Sequence, residues 1–242
     1  VEEYAIALSS GLELSDTPET LDRQNLTALV AVLSESVKSE GTTYPKLEEV
    51  NTEVDAIKQY FPSSIVLRNR DFTKENFKEN LTSLPFPIVH LATHGAFGKD
   101  LESTFVLTHE GQRLSAPELS SFLQFSEVSR NSAVELLVLS ACDTAIGGDL
   151  AALGLAGIAV RSGARSTLAT LWAVNDASTA AFMSEFYSGL HNSAMSKARI
   201  IQAVQKQFIE SGRTAPSASN HNQPDYSDPY YWAPFILLGN WL

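Results

Sequence analysis

Cysteine is nearly absent: the only one in 242 residues is Cys142. That excludes an intrachain disulfide and leaves a thiol that is either buried and inert or reactive. Long apolar runs are missing too, none approaching the roughly 18 residues of a membrane span. The amino-terminal stretch has no basic segment leading into an apolar signal core. The expectation is a soluble, cytoplasmic protein that does not contact a membrane. Positive charge is scarce, 17 Lys and Arg against 28 Asp and Glu, and the net charge is −11. The imbalance is concentrated early, with 4 Lys and Arg against 12 Asp and Glu in residues 1–60, and 6 against 5 in residues 151–242. A phosphate-backbone site needs a basic patch, so no nucleic-acid partner is expected. Zinc-site spacing is lacking as well: His90 and His94 stand four apart, but Leu91 occupies the place where a zinc-protease helix has glutamate. Neither a metal nor a cofactor is expected, and there is no internal repeat.

What is present is an alternation of short apolar runs with amphipathic stretches. With 44% hydrophobic residues, the chain is expected to build one domain over 1–242. Within it, 1–25 supplies an amino-terminal strand (Tyr4, Ile6, Leu8) and a polar connector, and 214–229, rich in Pro, Ser and Asn, is expected to be a mobile loop. Strands are predicted over 28–33, 65–67, 88–92, 105–107, 136–140, 166–172 and 231–238. Helices are predicted over 46–61, with Pro45 at the start; 74–84, with Thr73 as N-cap; from Ser115, which stands three residues before Glu118 in a capping box; and over 150–160, 178–190 and 196–211. Strands alternating with helices imply an α/β fold, a mostly parallel sheet covered on both faces. Ligands then sit off the carboxyl ends of the strands.

Two of those ends carry chemistry. Ile88-Val89-His90-Leu91-Ala92-Thr93-His94-Gly95 brings a histidine just past a strand, beside a glycine whose backbone can approach a substrate closely. Leu136-Leu137-Val138-Leu139-Ser140-Ala141-Cys142 does the same for the thiol. If the two strands are neighbours, both groups emerge at one edge, as cysteine catalysis by a thiolate and a proton-accepting imidazole requires. Alternation does not separate His90 from His94, because an even offset keeps a regular strand's side chains on one face. Position does: His90 sits inside the apolar run as a core hydrogen-bonder, His94 at its end. The competing bland readings are a buried, unreactive Cys142 and a structural His94.

His90-Leu91-Ala92-Thr93-His94-Gly95 and Leu139-Ser140-Ala141-Cys142-Asp143-Thr144-Ala145 resemble the two catalytic motifs of the CHAT family, caspase-like domains found in bacteria and often preceded by TPR repeats. The likeness extends through 154–166, 170–176 and 232–239. The separation of 48 positions from His94 to Cys142 is similar to the caspase spacing. The resemblance implies a caspase-like three-layer sandwich and a cysteine endopeptidase acting on protein substrates. In it His94 is the base, Cys142 the nucleophile, and the Gly95 and Cys142 amides the oxyanion donors. It implies no orienting acid, and it implies upstream TPR repeats or a regulatory partner. Leu171-Trp172-Ala173-Val174-Asn175-Asp176 also resembles a separase stretch that ends in the aspartate receiving a basic P1 side chain, although Ala173 stands where that stretch has its first aspartate. Asp176 is therefore expected in the S1 pocket, with preference for Arg over Lys. Its competing role is N-cap of the following helix. Asp143 and Asp149 are expected to enlarge the acidic S1 region, at the cost of raising the Cys142 thiol pKa unless an imidazolium offsets them. Arg161 and Arg165, the candidates for receiving an acidic P1 residue as caspases do, are placed away from the strand edge. The alternative is a non-cleaving interaction module with the same fold.

Overall fold

The computed structural model describes residues 1–9, 23, 26–96, 103–130, 133–140, 163–172, 174–214 and 225–242. In chain order these form β1 (Ala28–Val32), the hairpin β2 (Val37–Ser39) and β3 (Thr42–Tyr44), α1 (Val50–Tyr60), β4 (Ile65–Arg68) and α2 (Lys74–Ser83). There follow β5 (Ile88–Ala92), β6 (Gly95–Ala96), β7 (Phe105–Leu107), β8 (Arg113–Ser115) and α3 (Ala116–Arg130). The last elements are β9 (Leu136–Ser140), β10 (Ser166–Thr170), α4 (Asp176–Asn192), α5 (Lys197–Thr214), α6 (Pro229–Trp232) and β11 (Phe235–Gly239).

Six strands form one sheet in the order β11-β10-β9-β5-β1-β4, parallel except where β11 runs against β10. All residues of β1, β5, β9 and β10 are buried, which is why β1, β5 and β9 read as near-continuous apolar runs; β10 buries Ser166, Thr167 and Thr170 beside Leu168 and Ala169. Alternation sends Leu29, Val89, Leu91 and Leu137 to one face, against Phe77 and Leu81 of α2 and Leu119 and Leu123 of α3. Val30, Ile88 and Val138 go to the other, against Val54 and Ile57 of α1, Phe186 of α4 and Ile201 of α5. Each such side chain contributes roughly 1.5–3 kcal/mol by burial, opposed by chain entropy. The result is the expected three-layer, caspase-like α/β sandwich.

The predicted caps form. Thr73 Oγ1 accepts from Asn76 N–H, and Glu118 Oε2 accepts from Ser115 N–H while Ser115 Oγ accepts from Glu118 N–H. Three expectations shift. Helix α1 starts at Val50, not near Pro45, because 45–49 is drawn into contacts with the strand ends described below. Tyr231 and Trp232 belong to the helical turn α6 rather than to a strand, since the Asp228 carboxylate accepts from Tyr230 N–H and Pro229 opens the turn. Among its described residues the amino-terminal segment pairs through a bridge from Leu8 to Leu238. Its alternation is inverted: Ala5 and Ala7 pack inward, while Tyr4, Ile6 and Leu8 are exposed. Of the connector only Arg23 is described, its guanidinium donating to the carbonyls of Leu190, Ser193 and Met195. The predicted helix over 150–160 and most of the loop over 214–229 lie outside the described residues.

Two features away from the strand ends carry stability predictions. Gly111 has φ +71°, and a Cβ there would stand 2.1 Å from the Lys38 carbonyl of β2. Gly111→Ala is expected to cost at least about 2 kcal/mol, read as a lower urea midpoint at unchanged slope. Lys197, the first residue of α5, is fully enclosed, and its Nζ has no hydrogen-bond partner among the described residues. Burial pushes its pKa down to about 8, against the pull of Glu135 and with the push of Arg165 and Arg23. Between that value and the usual lysine range the unfolded chain binds the extra proton, so stability rises as pH rises through this window. Below it the penalty is fully present. Unfolding at pH 7.5 and pH 10 should differ by roughly 2 kcal/mol on this account, and Lys197→Met should remove the difference.

Candidate active site at the strand ends

β5 and β9 are adjacent and parallel, with Ala92 opposite Ser140 at their carboxyl ends. Thr93, His94 and Gly95 follow directly on the β5 side. On the β9 side the chain beyond Ser140 lies outside the described residues, and with it Cys142, Asp143 and Asp149.

His94 is 4% exposed and held from several directions. Thr93 Oγ1 donates to the Leu107 carbonyl and Leu107 N–H donates to the His94 carbonyl, both at 2.7 Å, so the backbone is anchored on β7. The imidazole packs on the Tyr44 ring, with centroids 5.3 Å apart, and its Nε2 lies 2.7 Å from the Pro45 carbonyl oxygen. A carbonyl only accepts, so Nε2 carries the proton. Neutral His94 therefore presents Nδ1 as its lone-pair nitrogen.

Gly95 pairs with Val106, and the bond from Leu107 N–H to the His94 carbonyl makes this a non-hydrogen-bonded pair. The Gly95 amide accordingly points away from the β7 ladder. A Cβ at Gly95 would sit 2.7 Å from the Phe105 carbonyl, so only glycine fits without displacing the strand.

Asp176 is the first residue of α4 but does not cap it. Asn175 does, its side chain accepting from Ser178 N–H at 3.2 Å. The expected cap is thus displaced by one residue, and Asp176 is released to reach across to α1. Its Oδ2 accepts from Glu49 N–H at 2.8 Å, while Oδ1 is buried with no hydrogen-bond partner among the described residues. Burial is the main cause that pushes this carboxyl above its ordinary pKa; the Glu49 and Glu48 backbone amides oppose it, and the Glu53 and Glu49 charges add to it. The same segment, 45–49, therefore holds His94 at one end and Asp176 at the other.

His90 is fully buried, with Nδ1 2.9 Å from the Tyr187 hydroxyl and Nε2 3.2 Å from Glu53 Oε2. It is engaged in the core, apart from the contacts of His94. Arg165 precedes β10 at the opposite edge of the sheet, its Nε 3.2 Å from Glu135 Oε1, whereas Arg161 lies outside the described residues. Among the described residues no cluster of three or more His, Cys, Asp or Glu is arranged to hold a metal, and no helix is long and apolar enough to cross a membrane. Sequence reasoning missed the Pro45 carbonyl, which no side chain advertises. It also missed Glu53, a charged residue on the apolar face of α1 between Val50 and Val54.

A family model described as the CHAT domain matches residues 1–240. Among solved structures the chain is similar to the Arg-specific cysteine proteinase gingipain R, at 13% identity and a TM-score of 0.51, covering 89% of this chain and 46% of that one. It is also similar to the complex of the Porphyromonas gingivalis RgpB pro- and mature domains, at 11% identity and a TM-score of 0.50, covering 89% and 47%. The chain thus spans about half the length of these structures, and at such identity they show a shared fold alone. No curated protein matches the chain.

Proposed function

The chain belongs to the CHAT domain family, and from that premise we propose that it is a cysteine endopeptidase in which Cys142 attacks the scissile carbonyl and His94 takes the thiol proton on Nδ1. The observation that carries the reading is the register of Ala92 with Ser140, which sets the two motif-bearing strand ends side by side. Two peptide units separate Ser140 from Cys142, a span of at most about 7 Å. His94 extends from the neighbouring end with its tautomer already chosen by Pro45.

In this reading the Cys142 thiolate forms the C–S bond, and the carbonyl oxygen becomes an oxyanion received by the Gly95 and Cys142 amides. Imidazolium His94 retains its Nε2–H bond to the Pro45 carbonyl, now charge-assisted. Collapse of the intermediate breaks the C–N bond, and the departing amine takes the Nδ1 proton. The thioester is then hydrolysed by a water that gives its proton back to His94. Pro45 thus does part of what an acidic third residue does elsewhere: it fixes the ring and the tautomer without adding a charge.

For specificity we infer a basic P1 residue, Arg over Lys. The support is Asp176 Oδ1, a buried oxygen with no hydrogen-bond partner among the described residues, at the same edge as His94. A guanidinium supplies parallel donors to a carboxylate, and its charge would draw the raised Asp176 pKa back down. Asp143 and Asp149 belong to the same proposed acidic surface. An alkylating peptide with a P1 arginine should label Cys142 alone, read by tandem mass spectrometry. A folded chain that yields no Cys142 adduct, and no cleavage across a peptide library, overturns the proposal.

A further inference from the structure

Beneath the strand ends lies a polar cluster that peptide cleavage does not use. Glu53, on the core face of α1, is fully enclosed. Its Oε2 accepts the Ser140 hydroxyl at 2.6 Å. It also lies 3.2 Å from His90 Nε2, which has no hydrogen-bond partner among the described residues. On the far side of the ring, the Tyr187 hydroxyl of α4 is 2.9 Å from Nδ1. Burial, with the Glu53 charge adding to it, pushes the Tyr187 phenol well up, so the hydroxyl keeps its proton and stays a hydrogen-bonding partner of Nδ1. An enclosed carboxylate is costly unless held, so one on the inner face of a helix calls for a role.

What Glu53 joins supplies that role. Ser140 ends β9, two residues before Cys142, and His90 lies in β5, four residues before His94. α1 itself is led in by the segment whose Pro45 carbonyl orients His94. Sheet hydrogen bonds fix β5 against β9, but α1 lies in another layer. Its apolar contacts through Val54 and Ile57 are non-directional and resist sliding weakly. The Ser140 hydrogen bond is directional.

Resting on the Cys142–His94 reading above, we propose that Glu53 is a positioning residue that locks α1 to the ends of β5 and β9. In this way it sets the place of the Pro45 carbonyl, and through it the His94 ring, relative to Cys142. Asp176, bound to Glu49 N–H, fixes the leading end of the same helix, and Glu53 fixes it one turn further in.

A misplacement of about 1 Å costs on the order of 100-fold in rate, so Glu53→Ala is expected to lower kcat by about that factor with KM within twofold. Ser140→Ala, which removes only the hydroxyl, should lower kcat about tenfold, and Glu53→Gln, which keeps an acceptor for Ser140, should recover most of the loss. If Glu53→Ala does not fold, the other two variants carry the test. A kcat within twofold of wild type in Ser140→Ala and Glu53→Gln alike, or a loss confined to KM, overturns the proposal. A second readout separates it from the peptidase reading: the His94 Nε2 proton, observed by NMR and held against exchange by Pro45. If wild type neither cleaves nor labels at Cys142, that reading fails. The positioning claim then stands on whether Ser140→Ala shifts this resonance and speeds its exchange, and an unchanged resonance overturns it.

Discussion

Cys142→Ala is expected to abolish cleavage of a peptide with P1 arginine, a loss of at least about 10⁴-fold in kcat, while the far-ultraviolet circular dichroism stays that of the wild type. The size follows from the chemistry: without the sulfur there is no thioester, and the backbone amides of Gly95 and residue 142, which the substitution leaves in place, have nothing to stabilise until a carbonyl is attacked. His94 is tested better by glutamine than by alanine. Alanine takes the donor away from the Pro45 carbonyl and frees the 45–49 segment, which mixes a structural defect into the result. A glutamine side-chain amide in that place can still donate to Pro45, yet has no basic nitrogen for the thiol proton. His94→Gln should therefore fold and lose activity nearly as completely as Cys142→Ala, and the double variant should be no slower than either single one, since two members of one unit act together. Activity surviving in Cys142→Ala would end the peptidase reading and favour a domain that works by binding.

The strand ends were legible because their sequence had little freedom. A parallel strand covered on both faces must be apolar throughout and must stop where polar residues begin, so β5 and β9 lie where periodicity places them. The start of α1 was not, although Leu47 continues its apolar spacing. The 45–49 segment is held by partners from distant parts of the chain, 49 residues away for Pro45 and 127 for Glu49. Tertiary contacts there override a local pattern. The orienting Pro45 carbonyl was invisible in principle, since every residue carries one. Glu53 was visible and passed over: it occupies a core-facing slot three residues after Val50. A charge in such a slot signals a buried polar partner, here Ser140 and His90. Asp228 followed by Pro229 likewise announced the helical turn that interrupts the last apolar run.

Asp176→Asn is expected to lower kcat/KM for an Arg-P1 substrate by about 10- to 100-fold, the range of one charge-assisted hydrogen-bonded contact. An apolar-P1 substrate should change less than threefold. The choice of asparagine comes from the structure. Asp176 already accepts from Glu49 N–H, at the head of the helix whose leading segment orients His94. Alanine would remove that acceptor as well, so a broad loss after Asp176→Ala would report a displaced α1 rather than a missing S1 charge. Asparagine keeps an oxygen for Glu49 and gives up only the charge and one acceptor. The comparison of the two variants then separates the roles. If the pocket reading holds, asparagine is selective for Arg-P1, and alanine adds a further drop shared by both substrates. If Asp176 serves only to fasten α1, asparagine leaves both substrates near wild type and alanine lowers both equally. That outcome would remove Asp176 from the pocket and leave recognition of the basic residue to Asp143 and Asp149, whose own asparagine variants would then carry the Arg-P1 loss.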